Sequence, residues 1–379
     1  MSLVHILGWI FTGLGFAGAV YALLAAWLAV RFVARDERPV ENLPALSILK
    51  PLHGAEPALA QNLNSFFLQN YPAPCQLVFG VQSPGDPAIA VVESLCRRHP
   101  AVDAVLVVDK NRHGNNPKIS NLINMQAAAR HDVLVLSDCD IAVEPGYLRR
   151  VAGALAPADV GAVTCVYTGR PAAGLASCLS AMGVSYHFLP NVIVGLGLKL
   201  TAPCFGSTIA IKGPVLREIG GLAAFAGQLA DDNEIGRAVR KKGYKVVIPP
   251  FAVRHAATET GWRAWFSHEL RWMRTIRTVD PAGHAGSIVT HAFPLGLLGL
   301  MMAGIGPLTI AAVATTILAR LVLKWRIDSA FRGPAGPYWL LPVRDVLSFG
   351  VFLISLFGGA VVWQNERLRV DGDGALSNR

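Results

Sequence analysis

The chain is poor in charge and holds no paired cysteines. Asp, Glu, Lys and Arg make up only 16% of its 379 residues, beside 53% hydrophobic residues, whereas an ordinary soluble domain is about 25% charged. That deficit excludes a protein solvated on all sides. The six cysteines, Cys75, Cys96, Cys139, Cys165, Cys178 and Cys204, form no CxxC pair and are irregularly spaced, which excludes a zinc ribbon or a disulfide framework and suits reduced thiols in a cytoplasmic domain. There is no internal repeat, no low-complexity segment and no RNA- or DNA-binding module. The net charge of +9 therefore calls for another anionic partner, and because the basic residues fall beside apolar runs, that partner is membrane lipid and not nucleic acid.

What is present is an apolar excess at both ends. Ile6 to Val30 carries no charge and is followed by Arg31, Arg35 and Arg38. It is long enough to cross about 30 Å of hydrocarbon. The positive charges follow the span, as in a retained anchor, and place the next domain in the cytoplasm. A second zone, Ser287 to Ala319, holds no Asp, Glu, Lys or Arg and is interrupted by Pro294 and Pro307; Arg320, Lys324 and Arg326 close it. It reads as a tight hairpin, or as a re-entrant helix plus one span. A last run, Val346 to Trp363, offers one more span. The expected organisation is an N-terminal transmembrane anchor at 1–33, a catalytic domain at 40–260, an interfacial amphipathic region at 261–285, a C-terminal transmembrane region at 286–365 and a polar tail at 366–379.

The middle alternates short apolar runs with amphipathic ones. Strands are expected at Leu46–Leu49, Leu77–Val81, Ala104–Val108, Val133–Leu136, Gly161–Val166, Thr208–Ile211 and Lys245–Ile248. Helices are expected at Ala58–Leu68, Ala88–Arg98 and Ile119–Arg130. Such alternation predicts an α/β domain with a Rossmann-like, mostly parallel sheet, and a ligand beyond the carboxyl ends of its strands.

Several constellations sit at such ends. Val133–Leu136 runs into Ser137-Asp138-Cys139-Asp140. Two carboxylates at the end of a buried strand are costly unless a cation meets them, and hard oxygen ligands suit Mg²⁺ or Mn²⁺ carrying a diphosphate. Asp231-Asp232-Asn233-Glu234 precedes a helical stretch and holds more carboxylates than a helix cap requires; one is a candidate general base. Lys118, in the first helical turn after His113-Gly114-Asn115-Asn116-Pro117, is a candidate phosphate contact. Asp86, in Gln82-Ser83-Pro84-Gly85-Asp86-Pro87, stands where a nucleoside could be read. The stretch Trp262–Trp272, with Arg271 near its end, has the Trp and Arg content of a helix lying in the membrane interface.

Taken in order, Ser47-Ile48-Leu49-Lys50-Pro51-Leu52, Asp86, Asn116-Pro117-Lys118, Asp138-x-Asp140, Asp231-Asp232 and Arg271-Trp272 resemble the ceramide glucosyltransferases, glycosyltransferase family 21, and the related bacterial glycosyltransferases of hopanoid biosynthesis. The resemblance implies a GT-A fold and an inverting displacement on a UDP-sugar, UDP-glucose or UDP-N-acetylglucosamine. The acceptor it implies is a membrane lipid hydroxyl, of a ceramide or a hopanoid polyol. It assigns Asp86, Lys118, Asp138, Cys204 and Trp272 to the nucleotide-sugar, Asp138 and Asp140 to the metal, Asp232 to the base and Arg271 to the departing diphosphate. His268 stands where Gln or Arg is usual, and Cys139 occupies the middle of the acidic pair. Acceptor specificity is expected around Tyr186-His187-Phe188, and the location as a multi-pass protein of the cell inner membrane. A processive polysaccharide synthase would need more spans than these, and a silent scaffold would not need the carboxylates.

Overall fold

The computed structural model describes residues 2–37 and 42–357, and the backbone of 360–363, 366–370 and 376–378. The chain divides into two compact units: Asp36–Tyr167 with Ala202–Thr258 and Leu368–Arg379, and Met1–Arg35 with Thr168–Thr201 and Glu259–Arg367. Of the tail expected at 366–379, residues 371–375 and 379 lie outside the described residues.

The first unit is the α/β domain. Its strands are β1 (Leu46–Pro51), β2 (Cys75–Val81), β3 (Asp103–Val108), β4 (Val133–Leu136), β5 (Ile141–Ala142), β6 (Val160–Thr164), β7 (Val166–Pro171, within which the chain leaves this unit), β8 (Ile209–Lys212), β9 (Lys245–Val247) and β10 (Ala252–Ala257). Seven of them form one sheet in the order β3-β2-β1-β4-β8-β6-β9. The pairs β3·β2, β2·β1, β1·β4 and β6·β9 are parallel, and β8 runs antiparallel between β4 and β6. The apolar runs are nearly continuous because helices cover both faces. Successive side chains alternate between two cores: Leu46, Ile48 and Val135 enter one, Leu49, Leu134 and Leu136 the other. The strand expected at Gly161–Val166 is divided at Cys165 between β6 and β7. From β1 the chain order runs outward to β3 and then returns to β4 on the other side, so the carboxyl ends of β1 and β4 flank a crevice where such sheets bind ligands.

The second unit is helical. Leu3–Val33, Leu175–Gly197, Pro307–Phe331 and Tyr338–Ser355 are each long and apolar enough to cross a membrane, and Pro281–Thr290 with Ala292–Ala303 form a pair bent by 63°. The zone Ser287–Ala319, read as a hairpin or as a re-entrant helix plus one span, is covered by the bent pair, whose form is that of a broken span or a re-entrant loop, and by the start of Pro307–Phe331. The last helix starts earlier than the apolar run at Val346 and stops at Ser355. Leu175–Gly197 is the largest departure, since the linear reading kept it inside the soluble middle. Ser177, Ser180, Ser185 and His187 interrupt its hydropathy, yet no Asp, Glu, Lys or Arg occurs between Pro171 and Leu198, a signal that was available.

Small residues let these helices approach. A Cβ added at Gly18 would lie 2.5 Å from the Val289 carbonyl oxygen, and one at Gly299 2.5 Å from Thr12 Oγ1; such close backbone approach is how apolar helices associate without a hydrophobic drive. Charged side chains bind the rest. Arg320 forms a two-point pair with Asp345, at 2.7 and 2.6 Å, and donates to the Tyr186 carbonyl at 2.7 Å. That carbonyl belongs to a π-helical turn, Val184–Phe188. Arg344 donates to Leu179 O and to Glu269. Lys324, fully buried, meets Asp328 and the Tyr186 hydroxyl, each at 2.7 Å.

Removing one partner of such a pair strands the other. Asp345→Ala should destabilise the helical unit by about 3–5 kcal/mol, seen as a lower thermal midpoint of the detergent-solubilised protein, whereas exposed Arg97→Ala should leave it unchanged.

Candidate active site

Adjacent strands β1 and β4 run parallel, Leu49 opposite Leu136. β1 delivers Lys50 near its end, and β4 delivers the turn Ser137-Asp138-Cys139-Asp140, anchored by the Ser137 N–H donating to Leu49 O at 3.1 Å. The chain then enters β5, which pairs with β10 so that Ile141 faces His255. This brings His255 Nε2 to 3.1 Å from Asp140 Oδ2.

A helix over Pro117–Gln126 starts beside this turn. Asn116 caps it, accepting from the Ile119 N–H at 3.1 Å, and Pro117 occupies the first turn, both standard helix starts. The Asn116 amide also donates to Asp231 Oδ1 at 3.1 Å and to Gln228 O at 2.9 Å. Lys118 follows in that turn, 2.6 Å from Asp138 Oδ1 and 3.7 Å from Asp231 Oδ2.

The helix Asp231–Lys241 carries Asp231, Asp232 and Glu234 in its first turn, where the helix dipole favours anions. Asp232 Oδ2 accepts from the Gly206 N–H and Oδ1 from the Asn233 N–H, both at 2.8 Å. Space above Gly206 is tight. A Cβ there would sit 2.7 Å from Lys118 Nζ, 2.9 Å from Asp138 Oδ2 and 3.6 Å from Asp232 Oδ2. The absence of a side chain at Gly206 lets three functional groups converge.

Their electrostatics follow. Burial lifts the Asp232 carboxyl to about 6, helped by the Asp231 charge and held back by Lys118 and the two backbone N–H groups. Burial alone would lower Lys118, but Asp138, Asp231 and Asp232 together raise it, so it stays charged. Asp138 is raised by burial against the pull of Lys118. Burial also pushes Asp140 upward, but His255, Lys50 and Lys118 overcome it and bring it below its usual value. Asp140 Oδ1 is buried without a hydrogen-bond partner.

That orphaned oxygen, with Asp138 beside it, is a donor set suited to a hard divalent cation. Among the described residues no group of three or more His, Cys, Asp or Glu could enclose a metal. Two carboxylates suit Mg²⁺ or Mn²⁺ with substrate phosphates filling the remaining positions.

The other expected residues are placed as follows. Asp86, 8% exposed, accepts from the Gly54 N–H through both oxygens, at 3.0 and 3.1 Å, and from the Ala88 N–H at 2.9 Å. It thereby clasps the loop after β1 to the turn after β2. Cys204, 3% exposed, packs in the apolar core, and burial pushes its thiol up to about 12. In the stretch Pro203-Cys204-Phe205-Gly206 it is Gly206, two residues on, that belongs to the cluster. Arg271 and Trp272 belong to the helical unit, on the helix Trp262–Val279. There Trp272 lies edge-on to His268, centroids 4.9 Å apart, and His268 pairs with Glu259. Tyr186 is buried in the same unit, engaged by Lys324 and Asp328. Asn116, Gly206 and His255 were not assigned a role from the linear motifs; the glycine's only signal was its place beside Cys204.

A Rossmann-like sheet ending in an acidic pair, with a nearby lysine and a raised aspartate, defines a glycosyltransferase of the GT-A fold. The fold is shared with the mannosyltransferase PcManGT from Pyrobaculum calidifontis, solved in complex with GDP-Man and Mn²⁺. That likeness has a TM-score of 0.56 at 20% identity and covers 94% of this chain and 99% of that one. The chain belongs to glycosyl transferase family 21, whose profile matches residues 10–376. Among its relatives, ceramide glucosyltransferase 1 of Caenorhabditis elegans is 24% identical over 93% of this chain and 78% of its own length. Ceramide glucosyltransferase 3 of the same organism is 25% identical over 78% of this chain and 64% of its own length.

Two outcomes test the geometry. Gly206→Ala should lower kcat/KM by about a hundredfold, by displacing Lys118 and Asp138 from their places, as read by nucleotide release in steady state. If Asp232 is the group that accepts a proton, the rate should also fall below about pH 6, about tenfold per unit, as its carboxylate becomes protonated, and should level off above it.

Proposed function

We propose that the protein is an inverting glycosyltransferase that moves a sugar from UDP-glucose or UDP-N-acetylglucosamine to the hydroxyl of a membrane lipid, a ceramide or a hopanoid polyol. The observation that carries this reading is the convergence of Asp138, Lys118 and Asp232 on the space left by Gly206. It sets a lysine and the carboxylate that would face a cation, the two groups that would meet a cation-borne diphosphate, beside a carboxylate near its working pH. The names of the relatives support the lipid acceptor, as do the four apolar helices. Arg31, in the last turn of the first helix, and Arg35, just after it, favour a catalytic unit on the cytoplasmic side, consistent with a multi-pass inner-membrane protein.

Each residue then has a task. Asp86 keeps the loops around the nucleoside pocket in register. Lys118 lends positive charge to the diphosphate. Asp138 and Asp140 would hold Mg²⁺ or Mn²⁺, which when bound supplies charge neutralisation to the leaving group. Asp232 takes the proton of the acceptor hydroxyl as that oxygen attacks the anomeric carbon from the face opposite the diphosphate. Arg271 and Trp272 enter through the family motif, Arg271 as a second positive charge for the departing UDP and Trp272 as a donor contact. Cys204 contributes by packing the segment that presents Gly206.

The test is UDP release by the purified protein with Mg²⁺ or Mn²⁺, crossing the two donors with ceramide and a hopanoid polyol. One pair should turn over, and Asp232→Asn should cut that turnover at least about a hundredfold. The folded-state value of Asp232, about 6, lies above its ordinary 3.8. Its ionisation therefore costs stability as pH rises through that window, and the asparagine variant should unfold no lower than the wild type at pH 7. Undiminished turnover in the variant would remove Asp232 from the base role.

A further inference from the structure

Lys50 is the buried charge that no step above uses. It is 0% exposed, near the carboxyl end of β1 in the motif Leu49-Lys50-Pro51. An ammonium removed from water is costly unless every donor finds a partner. Its Nζ donates to Ser137 Oγ at 3.2 Å and to the Asp138 carbonyl oxygen, and it lies 3.9 Å from the centroid of the Phe66 ring. Ser137 and Asp138 open the turn that carries the acidic pair. Lys50 is thus tied to the backbone of that turn from beneath, while Lys118 pairs with the Asp138 carboxylate itself. Asn62 adds a bond to the far side of the turn, donating to Cys139 O at 3.3 Å.

We propose that Lys50 is a positioning residue for donor binding: by holding the Asp138 carbonyl and Ser137 it sets the direction in which the Asp138 and Asp140 carboxylates meet the cation and the diphosphate. A carbonyl held by an ammionium cannot rotate with its peptide plane, so the turn keeps one orientation before donor arrives. Without the lysine, a four-residue loop joining β4 to β5 would sample several. The inference rests on the reading of Asp138 and Asp140 as the cation site.

The experiment measures binding and turnover on the full chain in detergent, with UDP and MnCl₂ as probes. Lys50→Met keeps the length and apolar stem and removes the charge. It should weaken Mn²⁺-dependent UDP binding by calorimetry about tenfold or more, as loss of an outer partner does at metal sites. It should raise the donor KM and the half-saturating Mn²⁺ concentration together, and leave the lipid-acceptor KM within about twofold. Ser137→Ala removes one partner of Nζ and should move the same quantities in the same direction by less. It decides the matter if Lys50→Met does not fold. Asp138→Asn runs alongside. Unchanged UDP and Mn²⁺ binding in a folded Lys50→Met, or in Ser137→Ala where the former is unfolded, overturns the positioning role while loss in Asp138→Asn keeps the site reading. Undiminished binding in Asp138→Asn overturns the site reading itself.

Discussion

The arrangement depends on the attraction between one lysine and the carboxylates gathered around it. Asp138 comes from the end of a strand, and Asp231 and Asp232 from the start of a helix nearly a hundred residues further along the chain. Each is stabilised near Lys118, and none would be buried at that density without it. The three elements therefore have to arrive together. Asn116, which caps the helix bearing Lys118 and also donates to Asp231, links the two helix starts directly.

The same requirement sets the chemistry. A fully neutralised cluster would be inert, but this one leaves Asp140 Oδ1 without a partner and Asp232 poised near 6. In the proposed mechanism the first group meets a cation and the second accepts a proton near neutral pH. Their difference comes from surroundings, since both are half-buried aspartates: His255 lies against Asp140, whereas Asp232 lies beside the like charge of Asp231. In the helical unit the buried charges do the opposite. Arg320, Lys324, Asp328, Asp345, Arg344 and Glu269 neutralise one another, so they serve packing among apolar helices, where unpaired charge would be intolerable.

Much of this was legible in the linear sequence. The α/β alternation, the strand Val133–Leu136, the acidic pair after it, the carboxylate run at Asp231 and the long uncharged run near the N-terminus follow from local composition and period. The helix Leu175–Gly197 was not recognised, because its polar residues lower its hydropathy, although Ser177, Ser185 and His187 find partners inside the helical unit. The divided strand at Cys165 was not recognised either, because an apolar run does not say where pairing partners change.

What the sequence by itself determined is the set of elements and the types of reactive group, because propensity, period and charge act between neighbours along the chain. What only the tertiary structure decided is which groups meet. Gly206 matters because Lys118, Asp138 and Asp232 close on the space above it, Lys50 because Ser137 and Asp138 lie over it, and His255 because β10 pairs with β5. Those encounters join residues far apart in the chain, and their distances follow from strand order and register, which no local pattern encodes.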